Sequence, residues 1–113
     1  MQERRTFLRK PLAVSLEIYT NDAKNSLGKG FITNLGEGGA ALETHKHLRL
    51  GEKLLLRLTL LNEKKIDLKS EIMYARDGVL TKAYGARFYD MHPGLSSELR
   101  RFIAARQERY GVP

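Results

Sequence analysis

The chain has 113 residues, a net charge of +7 and no cysteine, with 42% apolar and 29% charged residues. That is one globular domain with one core, able to hide roughly 65% of its unfolded surface, and it excludes disulfides, thiolate zinc sites and cysteine nucleophiles. No apolar run approaches the ~20 residues of a membrane span, and Met-Gln-Glu-Arg-Arg leads into no signal-like stretch, so neither membrane insertion nor export is expected. The charge is uneven. Residues 1–10 hold four basic and one acidic side chain, residues 98–109 four and two, and the middle twelve and ten. An anionic partner fits such basic ends.

In chain order, Leu12, Val14, Leu16 and Ile18 alternate with smaller or polar residues, which predicts a half-buried strand over 12–19. Asn21 to Ser26 is turn-rich. Lys29–Thr33 reads as a short second strand, Leu35–Gly39 as a loop too rich in glycine for either regular structure, and Ala40–Glu43 as a third strand. Leu50-Gly51-Glu52 turns the chain into a strand over Lys53–Leu60. Asn62-Glu63-Lys64 turns it back into Lys65–Arg76, where Ile66, Leu68, Ser70, Ile72 and Tyr74 are expected on one face. Asp77-Gly78 is a hairpin signal, followed by a last strand over Val79–Tyr89. Short strands at this spacing indicate an antiparallel sandwich or barrel.

From Pro93 the period becomes helical. Leu95, Leu99, Phe102, Ile103 and Tyr110 form one stripe. Pro93 suits a first turn and Gly111 a stop, and Arg106 and Arg109 suit the dipole of the last turn. The helix is expected to pack across one side of the barrel.

Catalytic templates fail. His45 and His47 have no third ligand nearby in sequence and read as surface histidines. No P-loop is present, no serine or carboxylate has a nucleophile or acid–base setting, and no ladder of interleaved aromatic and basic residues suits single-strand binding. The chain is therefore expected not to be an enzyme and to hold no metal or cofactor.

Two features stand out. Arg5 and Arg9 are four apart, a spacing that puts both guanidinium groups on one side of a helix or a strand. A guanidinium can fork onto phosphate, pair with guanine O6 and N7, or stack on a base. Spacing alone leaves them between an anion grip and a solvated basic tail. The second feature, Asn34-Leu35-Gly36-Glu37-Gly38-Gly39, offers a donor and acceptor at Asn34. Its glycines can adopt φ > 0 or approach a ligand closely, or can simply make a turn.

Together these two features resemble the PilZ domain family, bacterial receptors for cyclic di-GMP. The family carries Arg-x-x-x-Arg before the first barrel strand and Asp/Asn-x-Ser-x-x-Gly between the second and third. These map to Arg5 and Arg9, then to Asn34, Gly36 and Gly39, with Gly36 standing in place of the serine. Gly51, the Ile72–Arg76 strand end, Tyr84-Gly85-Ala86-Arg87-Phe88 and the closing helix extend the resemblance along the chain.

The resemblance implies an all-β fold with a C-terminal helix: a six-stranded antiparallel PilZ-like β-barrel at 12–90, an arm at 1–11, and the helix at 91–113. It implies a cytoplasmic cyclic di-GMP receptor that regulates an effector protein. The ligand residues would be Arg4, Arg5, Arg9, Asn34, Gly36, Gly38 and Gly39, with Arg4 compatible with a stacked nucleotide dimer. Two other readings stay open. Gly36 motivates a protein-interaction module of the same fold that does not bind the nucleotide. The net charge motivates a small nucleic-acid-binding barrel, which the near-neutral middle of the chain counts against.

Overall fold

The computed structural model describes residues 14–60, 63–77 and 81–109. Six strands run β1 (Val14–Thr20), β2 (Ser26–Leu35), β3 (Gly39–Thr44), β4 (Lys53–Thr59), β5 (Lys65–Asp77) and β6 (Lys82–Phe88), followed by helix α1 (Pro93–Arg109). All pairings are antiparallel, and the sheet closes in the order β1-β2-β3-β6-β5-β4. The expected six-stranded barrel with a C-terminal helix is what forms. Leu12, Asn62, Gly78, Val79, Tyr110 and Gly111 lie outside the described residues.

Alternation decides which side chains enter the barrel. Val14, Leu16 and Ile18 point inward from β1, and Ile66, Leu68, Ser70 and Ile72 from β5, all at most 5% exposed. Every second residue of β3, namely Ala40, Leu42 and Thr44, is also buried. Two strands differ from expectation in extent. The second runs Ser26–Leu35 rather than Lys29–Thr33, and the last, Lys82–Phe88, stops one residue short of the expected Tyr89, its expected start at Val79 lying outside the described residues. Ladder partners, Gly28 and Gly30 included, carry β2 past its apolar stretch.

The helix supplies the lid of the core. Leu99 and Phe102 belong to the buried cluster, with Leu95 and Ile103 packed against it. Its N-terminus is capped by His92, whose Nδ1 accepts the Leu95 N–H at 3.1 Å, satisfying one of the orphan donors of a first turn. Glu98 pairs with Lys64. Buried Tyr84 acts as an internal fastener. Its hydroxyl accepts the Leu48 N–H at 2.9 Å and donates to the Lys46 carbonyl at 3.3 Å, tying the β3–β4 loop to β6.

One outer side carries a row of alternating charge. Lys29 on β2, Glu17 on β1, Arg57 on β4 and Asp67 on β5 are successive cross-strand partners. Arg57 forks onto Asp67 at 2.7 and 3.0 Å and lies 4.7 Å from the Tyr19 ring centre. The Asp67 carboxylate holds the Arg57 guanidinium more firmly charged than usual. At the end of β5, Asp77 likewise raises Lys82, which it meets at 3.0 Å.

Candidate functional site

The opposite side of the barrel, centred on β3 and β6, is built differently. Its floor is made of small residues. Asn34 pairs with Ala41, Ala41 with Gly85, and Gly85 with Tyr74, so one straight row crosses β2, β3, β6 and β5. Asn34 and Tyr74, both exposed, stand as walls on either side of Ala41 and Gly85. The result is an open groove of about 350 Å³, which Gly36, Gly39, Met73 and Ala86 also line.

Two β-bulges produce those walls. On β2 the register slips between Ile32 and Asn34, and on β5 between Ile72 and Tyr74. Each bulge inserts one residue, Thr33 or Met73, and so reverses the inside–outside alternation beyond it. The expectation that Tyr74 shares the core face of Ile66, Leu68, Ser70 and Ile72 is therefore corrected. Those four are buried, while Tyr74 is 49% exposed. Its ring lies over Gly85, where an added Cβ would fall 2.1 Å from a ring carbon. Sequence reasoning missed Met73 and Tyr74 as groove residues. The available signal was Gly85 within an apolar strand pattern, which marks a close approach.

The glycine loop joins β2 to β3 at one end of the groove. Gly36 and Gly38 are exposed and Gly39 half-buried. None of the three has a positive φ, so the loop does not draw on the left-handed backbone that glycine permits. Gly39 is needed for a different reason, because a Cβ there would lie 2.3 Å from the Ala86 carbonyl oxygen. Its close approach is to β6 of its own chain. Gly36 is under no such constraint, since a Cβ would meet only the Gly39 carbonyl oxygen, at 3.7 Å.

Three contacts hold the loop. The Gly36 N–H donates to the Gly39 carbonyl at 2.9 Å, and the Phe88 N–H donates to the Gly38 carbonyl at 2.9 Å. Glu37 pairs with Arg100 of α1 at 3.2 Å.

Of the residues expected to bind ligand, Asn34, Gly36 and Gly39 are brought together around the groove, with Gly38 beside them in the loop. Arg4, Arg5 and Arg9 lie outside the described residues. His45 and His47 are exposed on the β3–β4 loop, and among the described residues no group of His, Asp or Glu could hold a metal ion. None of the described helices is long and apolar enough to cross a membrane.

The family described as PilZ domain matches residues 3–105. No curated protein sequence matches. Among solved structures, the chain resembles YcgR of Escherichia coli in complex with c-di-GMP, at 15% identity and TM-score 0.74, over 89% of this chain and 44% of that one. It resembles the inhibitor of motility MotI/DgrA of Bacillus subtilis at 17% identity and TM-score 0.69, over 94% of this chain and 52% of that one. It also resembles the PilZ domain of CeSA from a cellulose-synthesizing bacterium, at 17% identity and TM-score 0.63, over 86% and 96%. The chain thus spans about half the length of two of these proteins and nearly all of the third.

Proposed function

The chain belongs to the PilZ domain family, and on that premise we propose that it is a cyclic di-GMP receptor that regulates an effector protein in the bacterial cytoplasm. The observation that carries this reading is the row Asn34–Ala41–Gly85–Tyr74. It offers a hydrogen-bonding amide and an aromatic ring on either side of a floor with almost no side chains. A volume of about 350 Å³ falls within the usual range for small-molecule sites. A guanine edge would bond the Asn34 amide, which presents both a donor and an acceptor. The backbone at Gly36 and Gly38 leaves the ligand room to approach.

The arginine arm supplies the charge. Val14 at the start of β1 pairs with Ile32, two residues from Asn34. Arg9 is five residues upstream of Val14 and Arg5 nine. At ~3.3 Å per residue, both can reach the groove. Arg5 and Arg9 would fork to phosphate and stack on guanine, and Arg4 would favour a stacked nucleotide pair. Regulation would follow from the arm ordering over the bound ligand. The role is binding and adaptation, without catalysis.

Calorimetric titration with cyclic di-GMP tests the reading. Saturable heat is expected, with two nucleotides per chain if the stacked pair forms, and loss of that heat in the Arg5→Ala/Arg9→Ala variant. Absence of heat at tens of micromolar protein, or unchanged binding in the double variant, overturns it. Gly36, which lacks the motif hydroxyl, favours a second reading as a nucleotide-independent interaction module. Effector capture that persists in nucleotide-free buffer and in the double variant would select that alternative.

A further inference from the structure

The barrel is closed, but β5 is longer than its neighbour. The β4–β5 ladder ends at Lys53 opposite Glu71. Two more bonds follow, from the Gly51 N–H to the Ile72 carbonyl at 2.7 Å and from the Ile72 N–H to the Glu52 carbonyl at 3.0 Å. Beyond them, Met73–Asp77 pairs only with β6 among the described residues, and all five residues are exposed. We infer that this free edge of β5 docks an extended acidic and apolar segment of a partner protein, which adds to the sheet as a further strand.

Three features give the edge its character. First, it begins beside a preorganised apolar knob. Leu50 is 65% exposed at the tip of a turn that the two Ile72 bonds pin to β5. Within the turn, the Glu52 N–H donates to the Arg49 carbonyl at 3.1 Å, and the Arg49 N–H donates to Glu52 Oε1 at 2.9 Å. A side chain displayed on so fixed a backbone costs little ordering on binding. Second, Met73, 49% exposed, continues the apolar surface along the edge, while the Tyr74 ring lies over Gly85 of β6.

Third, the flanking charge is basic. Among the described residues no carboxylate pairs with Arg49 or Arg76, whereas Asp77 is engaged by Lys82 and Glu52 by the Arg49 backbone. Carboxylates on the incoming segment would meet those two guanidinium groups.

Size decides between occupants. A stable dimer needs about 1,200 Å² or more of buried surface, more than a five-residue edge provides, and two copies would bring Arg49 and Arg76 near their own kind. A short extended peptide needs only main-chain pairing and a few side-chain contacts. The bulge at Met73 and the charge of Arg76 are the devices that discourage indiscriminate edge pairing, and they leave a selective edge. The inference does not depend on nucleotide binding, so the test is run without nucleotide.

A phage-displayed library of random peptides of about 12 residues, selected on the immobilised full chain, tests it. Enriched sequences should alternate apolar and acidic residues. As synthetic peptides they should lose about tenfold or more in affinity towards Leu50→Ser and Arg76→Glu. On binding they should slow hydrogen exchange at alternate amides of Met73–Asp77. Both substitutions are at exposed positions, and unchanged melting temperatures verify that the fold is intact. Three results would overturn the proposal. These are the enrichment of no sequence, enriched peptides that ignore both variants and leave those amides unprotected, and sedimentation that shows a chain dimer dissolved by Arg76→Glu, which would make a second copy the occupant.

Discussion

Replacing Gly36 by serine tests whether the glycine loop faces the ligand. A Cβ at Gly36 meets only the Gly39 carbonyl oxygen, at the ordinary contact distance of 3.7 Å, and φ at this position is not positive. The backbone can therefore accept a side chain without moving. The change should leave the fold intact and raise the melting temperature by roughly 2–6 °C, because serine restricts the unfolded chain more than glycine does. The added hydroxyl would make one hydrogen bond to the nucleotide, worth about 0.5–1.5 kcal/mol. Since about 1.4 kcal/mol is tenfold in Kd, calorimetry should show cyclic di-GMP bound roughly two- to tenfold more tightly by Gly36→Ser than by the parent chain. A variant with intact stability and unchanged or weaker affinity would refute the reasoning, because position 36 would then not face the ligand.

Three further outcomes are expected. Gly39→Ala forces a Cβ against the Ala86 carbonyl oxygen and should cost about 1–3 kcal/mol in denaturant unfolding; a neutral result would mean that β3 and β6 separate easily. Tyr84→Phe strands the N–H of Leu48, which is 3% exposed, and should cost about 1–3 kcal/mol, with faster amide exchange confined first to residues 45–49. Asp22 gives a pH signature. The Thr20 hydroxyl, and then the Lys24 N–H, hold its carboxyl below the usual range. A folded-state value below the unfolded one contributes stability above about pH 3.9 that is lost as pH falls through the folded value. Asp22→Ala should therefore melt below the parent at pH 7, and the gap should close as the buffer is acidified past that range; a gap independent of pH would sink this account.

The barrel was legible because its strands are written in period two. Val14, Leu16 and Ile18, or Ile66, Leu68 and Ile72, announce a buried face wherever the sheet ends up. The helix was legible from Leu99 and Phe102. The groove was not. Its walls depend on two bulges, and nothing about Thr33 or Met73 as residue types marks an inserted position. A pattern count carried through Met73 therefore sends Tyr74 into the core. The pairing that sets Asn34 opposite Ala41, and Gly85 opposite Tyr74, exists only once the sheet has closed. Gly39 shows the reverse case. Its position was found by motif, but its physical reason, a backbone carbonyl 2.3 Å from where a side chain would begin, belongs to the packing of β6.

The alternating row Lys29–Glu17–Arg57–Asp67 has a consequence for kinetics. Two positive and two negative groups balance within the row, so the row itself adds nothing to the chain's excess of seven positive charges. The basic N-terminal residues lead into β1 beside Ile32, and α1 reaches the glycine loop through Arg100 and Glu37. An approaching anion gains nothing from the balanced row, and in the proposed receptor its attraction comes from charges outside that row. Such steering raises encounter rates by ten or more and fades with added salt. Ionic strength should therefore slow capture of an anionic ligand far more than it hastens release.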